Sequence, residues 1–70
     1  MIPLTVASIK EEYVIKRIGG NDQVRHHLNN LGFVIGGSVC VISSMSGNLI
    51  VKVKETRVAI DQQLACKILV

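Results

Sequence analysis

LNNLGFVIGGSVCVIS, residues 28–43, reads as a helix end on its left and a strand on its right, joined across Gly32, Gly36 and Gly37. Glycines packed this closely can cradle a phosphate or simply turn a corner. A phosphate loop of the P-loop kind needs GxxxxGK[ST], with its lysine reaching the phosphates. Here Gly32 is followed by Phe-Val-Ile-Gly-Gly-Ser-Val, which contains no lysine. The order is also reversed, because phosphate loops run from a strand into a helix N-terminus. The glycines therefore read as structural turns. Gly32 caps a helix C-terminus in the left-handed region, where glycine costs little, and Gly36 belongs to the turn into the next strand.

Working back from Leu28, NDQVRHHLNNL (residues 21–31) predicts one α-helix. Asn21 or Asp22 can cap it by accepting a first-turn N–H. Val24, Leu28 and Leu31, at i, i+4 and i+7, make one apolar stripe. Before it, EEYVIKRI (residues 11–18) has strand composition. Tyr13 and Ile15 share one parity while Val14 and Ile18 share the other, which predicts a bulge near Lys16 and Arg17. Gly19-Gly20 ends that strand, and IPLTVAS near the N-terminus predicts a helical turn starting at Pro3 or Thr5.

Working forward, SVCVIS predicts a strand, and Ser46-Gly47-Asn48 a tight turn. LIVKVK (residues 49–54) alternates, with Leu49, Val51 and Val53 on one face and Ile50, Lys52 and Lys54 on the other. RVAI is a further short strand, DQQLAC (residues 61–66) a helical or 3₁₀ turn capped by Asp61, and KILV a last strand. The expected fold is mainly β: a small, partly open barrel of about five strands, one α-helix over residues 21–31 and a short helical turn near residues 61–65. Residues 1–70 read as one domain. A chain this short buries only about 60% of its unfolded surface, which leaves little room for a deep catalytic cleft.

Composition narrows the function classes. Hydrophobic residues make up 49% of the chain and charged residues 19%, too apolar a balance for a disordered segment. The +3 charge is mild, its basic residues are scattered, and Tyr13 and Phe33 are the only aromatics, too few for stacking on single strands. Two cysteines, Cys40 and Cys66, do not make a disulfide framework. Cys40 reads as a small buried hydrophobe and Cys66 as partly exposed. The N-terminus lacks the pattern of a signal peptide, and no apolar run reaches the roughly 18 residues of a membrane span, so a soluble cytoplasmic chain is expected.

Candidate chemistry is sparse. His26 and His27 are helix neighbours, about 100° apart, and do not face one ligand as an i, i+4 pair would. The acids Glu11, Glu12, Asp22, Glu55 and Asp61 lie in contexts of turns and caps, so no catalytic pair is expected and the chain reads as a binding module. Ile50, Lys52 and Lys54 share one strand face with Arg57 just beyond. This face suits a partner with acidic character, or is a solvated surface whose lysines blunt a sheet edge.

The ordered set Leu4, Ile18-Gly19, Leu28, Leu31-Gly32-Phe33, Gly36, Val39, Val41, Val51, Val53, Ala59-Ile60, Ala65, Ile68 and Val70 resembles the FeoA family, small cytosolic proteins of bacterial ferrous-iron uptake. The resemblance runs over nearly the whole chain. Two departures are local: Ile35 stands where the family often has proline, and Lys10-Glu11 replace a usual glycine. The resemblance implies an SH3-like β-barrel and a non-enzymatic role. It also implies a partner, FeoB, the ferrous-iron transporter of the inner membrane with a cytosolic G domain, which could recruit the chain to the membrane. The expected contact surface combines the helix side (Arg25, His26, Asn29) with the strand face (Ile50, Lys52, Lys54). No cofactor is expected, and no metal site, because a histidine-carboxylate cluster is missing. Nucleic-acid binding by a small basic barrel, and a homo-oligomeric module joined through an open barrel edge, are the rival readings.

Overall fold

The computed structural model describes residues 1–70. A 3₁₀ turn, Leu4–Val6, follows Pro3 and buries Leu4, as the opening segment predicts. Strands β1 (Glu12–Val14) and β2 (Arg17–Ile18) precede helix α1 (Asp22–Leu31). Strands β3 (Ser38–Met45), β4 (Asn48–Val53) and β5 (Thr56–Asp61) follow, then the one-turn helix α2 (Gln62–Ala65) and strand β6 (Ile68–Leu69). The four-stranded sheet has the order β1-β3-β4-β5, and β2 pairs with β6 in a separate two-stranded sheet. All pairings between these strands are antiparallel, and one isolated bridge, Ile9 to Val41, is parallel. The expected small, partly open barrel of about five strands is here six strands in two open sheets.

The main departure from expectation is at residues 11–18. The chain does not bulge but changes sheets. Ile15 N–H donates to Gly37 O and Ile15 O accepts from Gly36 N, both at 2.8 Å, on the β3 side. The next N–H, of Lys16, donates to Leu69 O at 2.8 Å, on the β6 side. One backbone switch thus turns the parity, so that Ile15 and Ile18 both reach the core. Ile2 and Val70 exchange two hydrogen bonds of 2.8 Å, which ties the first residues to the last.

Helix α1 follows its sequence signals closely. Asn21 Oδ1 accepts from Val24 N at 2.9 Å, so Asn21 is the cap and Asp22 the first helical residue. At the other end Gly32 sits at φ 109°. Its N–H bonds Asn29 O at 3.0 Å, and Phe33 N–H bonds Leu28 O at 2.9 Å. These are the two bonds of a Schellman ending, and they require a left-handed residue where Gly32 stands. Leu28 and Phe33, which flank the motif, are both fully buried. A Cβ on Gly32 would lie 3.6 Å from a Val53 methyl, so the helix end is laid against β4.

The core holds only apolar side chains, with Phe33, Leu4, Ile15, Leu28 and Ile68 its largest fully buried members. Strand β4 supplies Leu49, Val51 and Val53, the face its alternation predicts. Strand β3 supplies Val39 and Val41 and then shifts register before Ser43, where Ile42 is the extra residue of a bulge. Strand β5 is longer than RVAI and runs against β4 without a shift.

Candidate functional site

The outer face of the four-stranded sheet is built by register. Glu12 on β1 lies opposite Cys40 on β3, Cys40 opposite Lys52 on β4, and Lys52 opposite Arg57 on β5. These four residues form one rung across the sheet, directed away from the core. Its order places an acid at one margin and two cations side by side at the other. Like charges directly opposite one another destabilise a sheet, and neither Lys52 nor Arg57 has an ionic partner, since the only ion pair joins Asp22 and Arg25.

Lys54 is not in this strand. Strand β4 ends at Val53, and Lys54 and Glu55, at φ 49° and 64°, are the two residues of the β4–β5 turn. The expected strand face of Ile50, Lys52 and Lys54 is corrected accordingly: Lys54 projects from a hairpin tip. Glu12, Ser38, Cys40, Lys52, Lys54 and Glu55 line a surface depression of about 290 Å³. Its charges are balanced, two lysines against two glutamates, where the sequence offered a face for a partner with acidic character or a simply solvated one. Arg57 extends the cationic margin beyond it.

Cys40 is half-buried on this outer face rather than in the core, because its parity is that of Lys52 and not of Val39 and Val41. Its thiol lies 3.8 Å from Val41 O. Cys66 is exposed, as expected, with its thiol 3.1 Å from Gln63 O.

The helix part of the expected surface is exposed. Arg25, His26 and Asn29 all face solvent, with Arg25 held to Asp22 one turn back. Only His26 of the three lines the open depression on α1, beside Asp22, Gln23, His27 and Asn30. Asp22 stands four residues before His26, a spacing that puts both on one helix face, but no third histidine, cysteine or acid joins them as a metal cluster. Of the two expected patches, Lys54 is the member shown near the helix, its Cδ 3.8 Å from where a Gly32 Cβ would stand. Ile50 is half-buried opposite Ala59.

The rung Glu12–Cys40–Lys52–Arg57 was not legible in the sequence. Alternation places Lys52 outward, but only strand pairing says that Glu12 and Arg57 share its row. The Lys54-Glu55 turn left a weak signal, a polar pair between two alternating strands, without the Asn or Gly such a turn favours.

Comparisons with known proteins agree with this architecture. Residues 2–70 match the FeoA domain family. A Methanocaldococcus jannaschii protein named "Putative Fe(2+) transport protein A" is 34% identical over 70 residues, covering 100% of this chain and 85% of that protein. A crystal structure of an iron uptake regulatory protein, FeoA, superposes with a TM-score of 0.88 at 28% identity, covering 96% of this chain and 89% of that one. Stenotrophomonas maltophilia FeoA, solved in complex with zinc and described as a prokaryotic SH3-domain protein, gives a TM-score of 0.84 at 24% identity, covering 99% and 88%. The two open sheets thus form an SH3-like fold, and this chain belongs to the FeoA family of ferrous-iron transport.

Proposed function

We propose that this chain is a non-enzymatic adaptor that docks on the cytosolic part of a FeoB-type transporter and modulates Fe(II) uptake. The observation that carries this reading is the family match over residues 2–70, on a chain whose polar side chains all lie outside the core. With no buried polar or charged side chain, the interior offers nothing to a substrate, and function falls to the surface. The docking surface is the outer sheet face at Lys52 and Arg57 with Lys54 at the adjoining hairpin tip, Ile50 as its apolar member, and Arg25, His26 and Asn29 on α1 as a second contact. Exposed interfacial charges act mainly on association rate and salt dependence, so docking here weakens as salt rises. No helix is long and apolar enough to cross a membrane, and recruitment to the membrane would come through the transporter.

The test is capture of the transporter's purified cytosolic region by the wild-type chain and by the double variant Lys52→Glu, Lys54→Glu. Both positions are exposed, so circular dichroism should show an unchanged fold. The variant should bind at least about tenfold more weakly, a loss of about 1.4 kcal/mol. Unchanged capture by a folded variant removes the sheet face from the proposal, and absence of capture by the wild type removes the adaptor role.

A further inference from the structure

Strand β5 is an uncovered sheet margin with an unusual charge order. It lies at the end of the strand order, spans six residues, pairs with β4 without a bulge and contains no proline. Short length, a bulge or a proline commonly blunts a sheet edge, and β5 has none of these; its edge carries only the charges of Arg57 and Asp61. Its hydrogen-bonding parity can be assigned. Gln62 N–H donates to Gly47 O at 3.0 Å, on the β4 side. Alternation along an antiparallel ladder gives Ile60, Val58 and Thr56 the same side. Arg57, Ala59 and Asp61 therefore turn their N–H and C=O groups to the free edge. All three are exposed.

We propose that β5 pairs with β5 of a second copy, antiparallel, about a two-fold axis at Ala59. In that register Arg57 of each copy lies opposite Asp61 of the other, and Ala59 lies opposite itself. The register uses the free groups of all three residues, about six main-chain hydrogen bonds. It also answers the charge problem of the outer rung. Arg57 faces Lys52 within its own chain and makes no ion pair, while Asp61 makes none either and spends one oxygen on Leu64 N at 2.8 Å. Pairing supplies each with its opposite, twice by symmetry. A shift of the register by two residues loses both ion pairs. On the inner face the same register sets half-buried Val58 beside Ile60 of the second copy. The two sheets become one continuous sheet of eight strands (4 + 4). This interface shares Arg57 with the proposed docking surface, and sedimentation of the chain alone tests it apart from the transporter reading.

Sedimentation equilibrium of the purified chain should show a monomer–dimer equilibrium below about 1 mM, the −4.1 kcal/mol level of affinity. Arg57→Glu and Asp61→Lys should each raise the dimer dissociation constant at least about tenfold, and mixing the two variants should restore a heterodimer, because each mixed contact is again attractive. A monomer at all concentrations overturns the proposal. So do assemblies larger than a dimer, which mark a head-to-tail edge contact, and so does a mixture that fails to associate. Asp61→Lys removes the α2 cap, so a second measurement avoids it. In a Cys40→Ser, Cys66→Ser background, Ala59→Cys should form a symmetric disulfide under mild oxidation. The expected Cα separation of about 5.5 Å for a hydrogen-bonded pair lies within disulfide range. Arg57→Cys in the same background should not, because its symmetry mate lies about 13 Å away along the strand. Equal crosslinking at both positions, or none at Ala59→Cys, overturns the register.

Discussion

The β3–β4 hairpin closes through Ser46-Gly47 at φ 50° and 82°, and the β4–β5 hairpin through Lys54-Glu55 at φ 49° and 64°. Both are two-residue loops with both residues left-handed, the geometry that matches the twist of the flanking strands. The first uses a glycine where the conformation demands one. The second uses two long charged residues, each strained by roughly 1–2 kcal/mol in that region. A small domain with a marginal core gains nothing in stability from such a turn. The difference is that Ser46-Gly47 only closes a hairpin, whereas Lys54-Glu55 also projects two charges over the depression that holds Lys52 and Glu12. Strain of this kind collects at functional positions, which supports including the second turn in the proposed docking surface.

The strand common to both hairpins is the strongest place to break the comparison. Leu49→Ala on β4, whose leucine is 4% exposed, removes core packing beneath both turns at once and should cost about 2–5 kcal/mol in urea unfolding. Against a total stability of about 5–15 kcal/mol for domains generally, the loss should leave a measurable unfolded fraction. If both turns tolerated it, the two hairpins would not share a core.

Gly47→Ala isolates the backbone term. A Cβ there meets nothing within 4 Å, so the whole cost is conformational, about 1 kcal/mol, and thermal unfolding should show it. Replacing the other turn by the residues its geometry prefers, Lys54→Asn with Glu55→Gly, should do the opposite and stabilise by about 0.5–1 kcal/mol. The same double variant should weaken capture of the transporter's cytosolic region. Stabilisation with undiminished capture would show that the strain serves no contact.

Lys52→Thr is the mildest of the series. It relieves the like-charge pair with Arg57 and should raise stability by about 0.2–0.5 kcal/mol. Titrating that variant with salt should abolish the gain, since exposed charges are screened.

Much of the architecture could be read locally. Asn21, the Val24–Leu28–Leu31 stripe and Gly32 delimit α1 because a cap, a 3.6-residue period and a left-handed stop are short-range requirements satisfied by the residues that carry them. The same holds for the 3₁₀ turn after Pro3, the Ser46-Gly47 turn, the Asp61 cap, where the carboxylate accepts from Leu64 N, and the inward face of β4. The ordered apolar and glycine positions were enough to indicate the FeoA family. The candidate surface was legible only in part: Lys52, His26, Arg25 and Asn29 are exposed as expected, but Lys54 left its strand and Cys40 left the core.

What the sequence determined by itself, then, was which segments form elements and which side chains seek the interior, because those follow from steric preference, capping and hydrophobic period within a few residues. Only the tertiary structure decided which strands lie side by side. It sent Ile15 and Lys16 to different sheets, aligned Glu12, Cys40, Lys52 and Arg57 in one rung and left β5 at an open edge. Register depends on what packs and pairs across the sheet, and residues tens of positions apart acquire a common row only when the core beneath them closes.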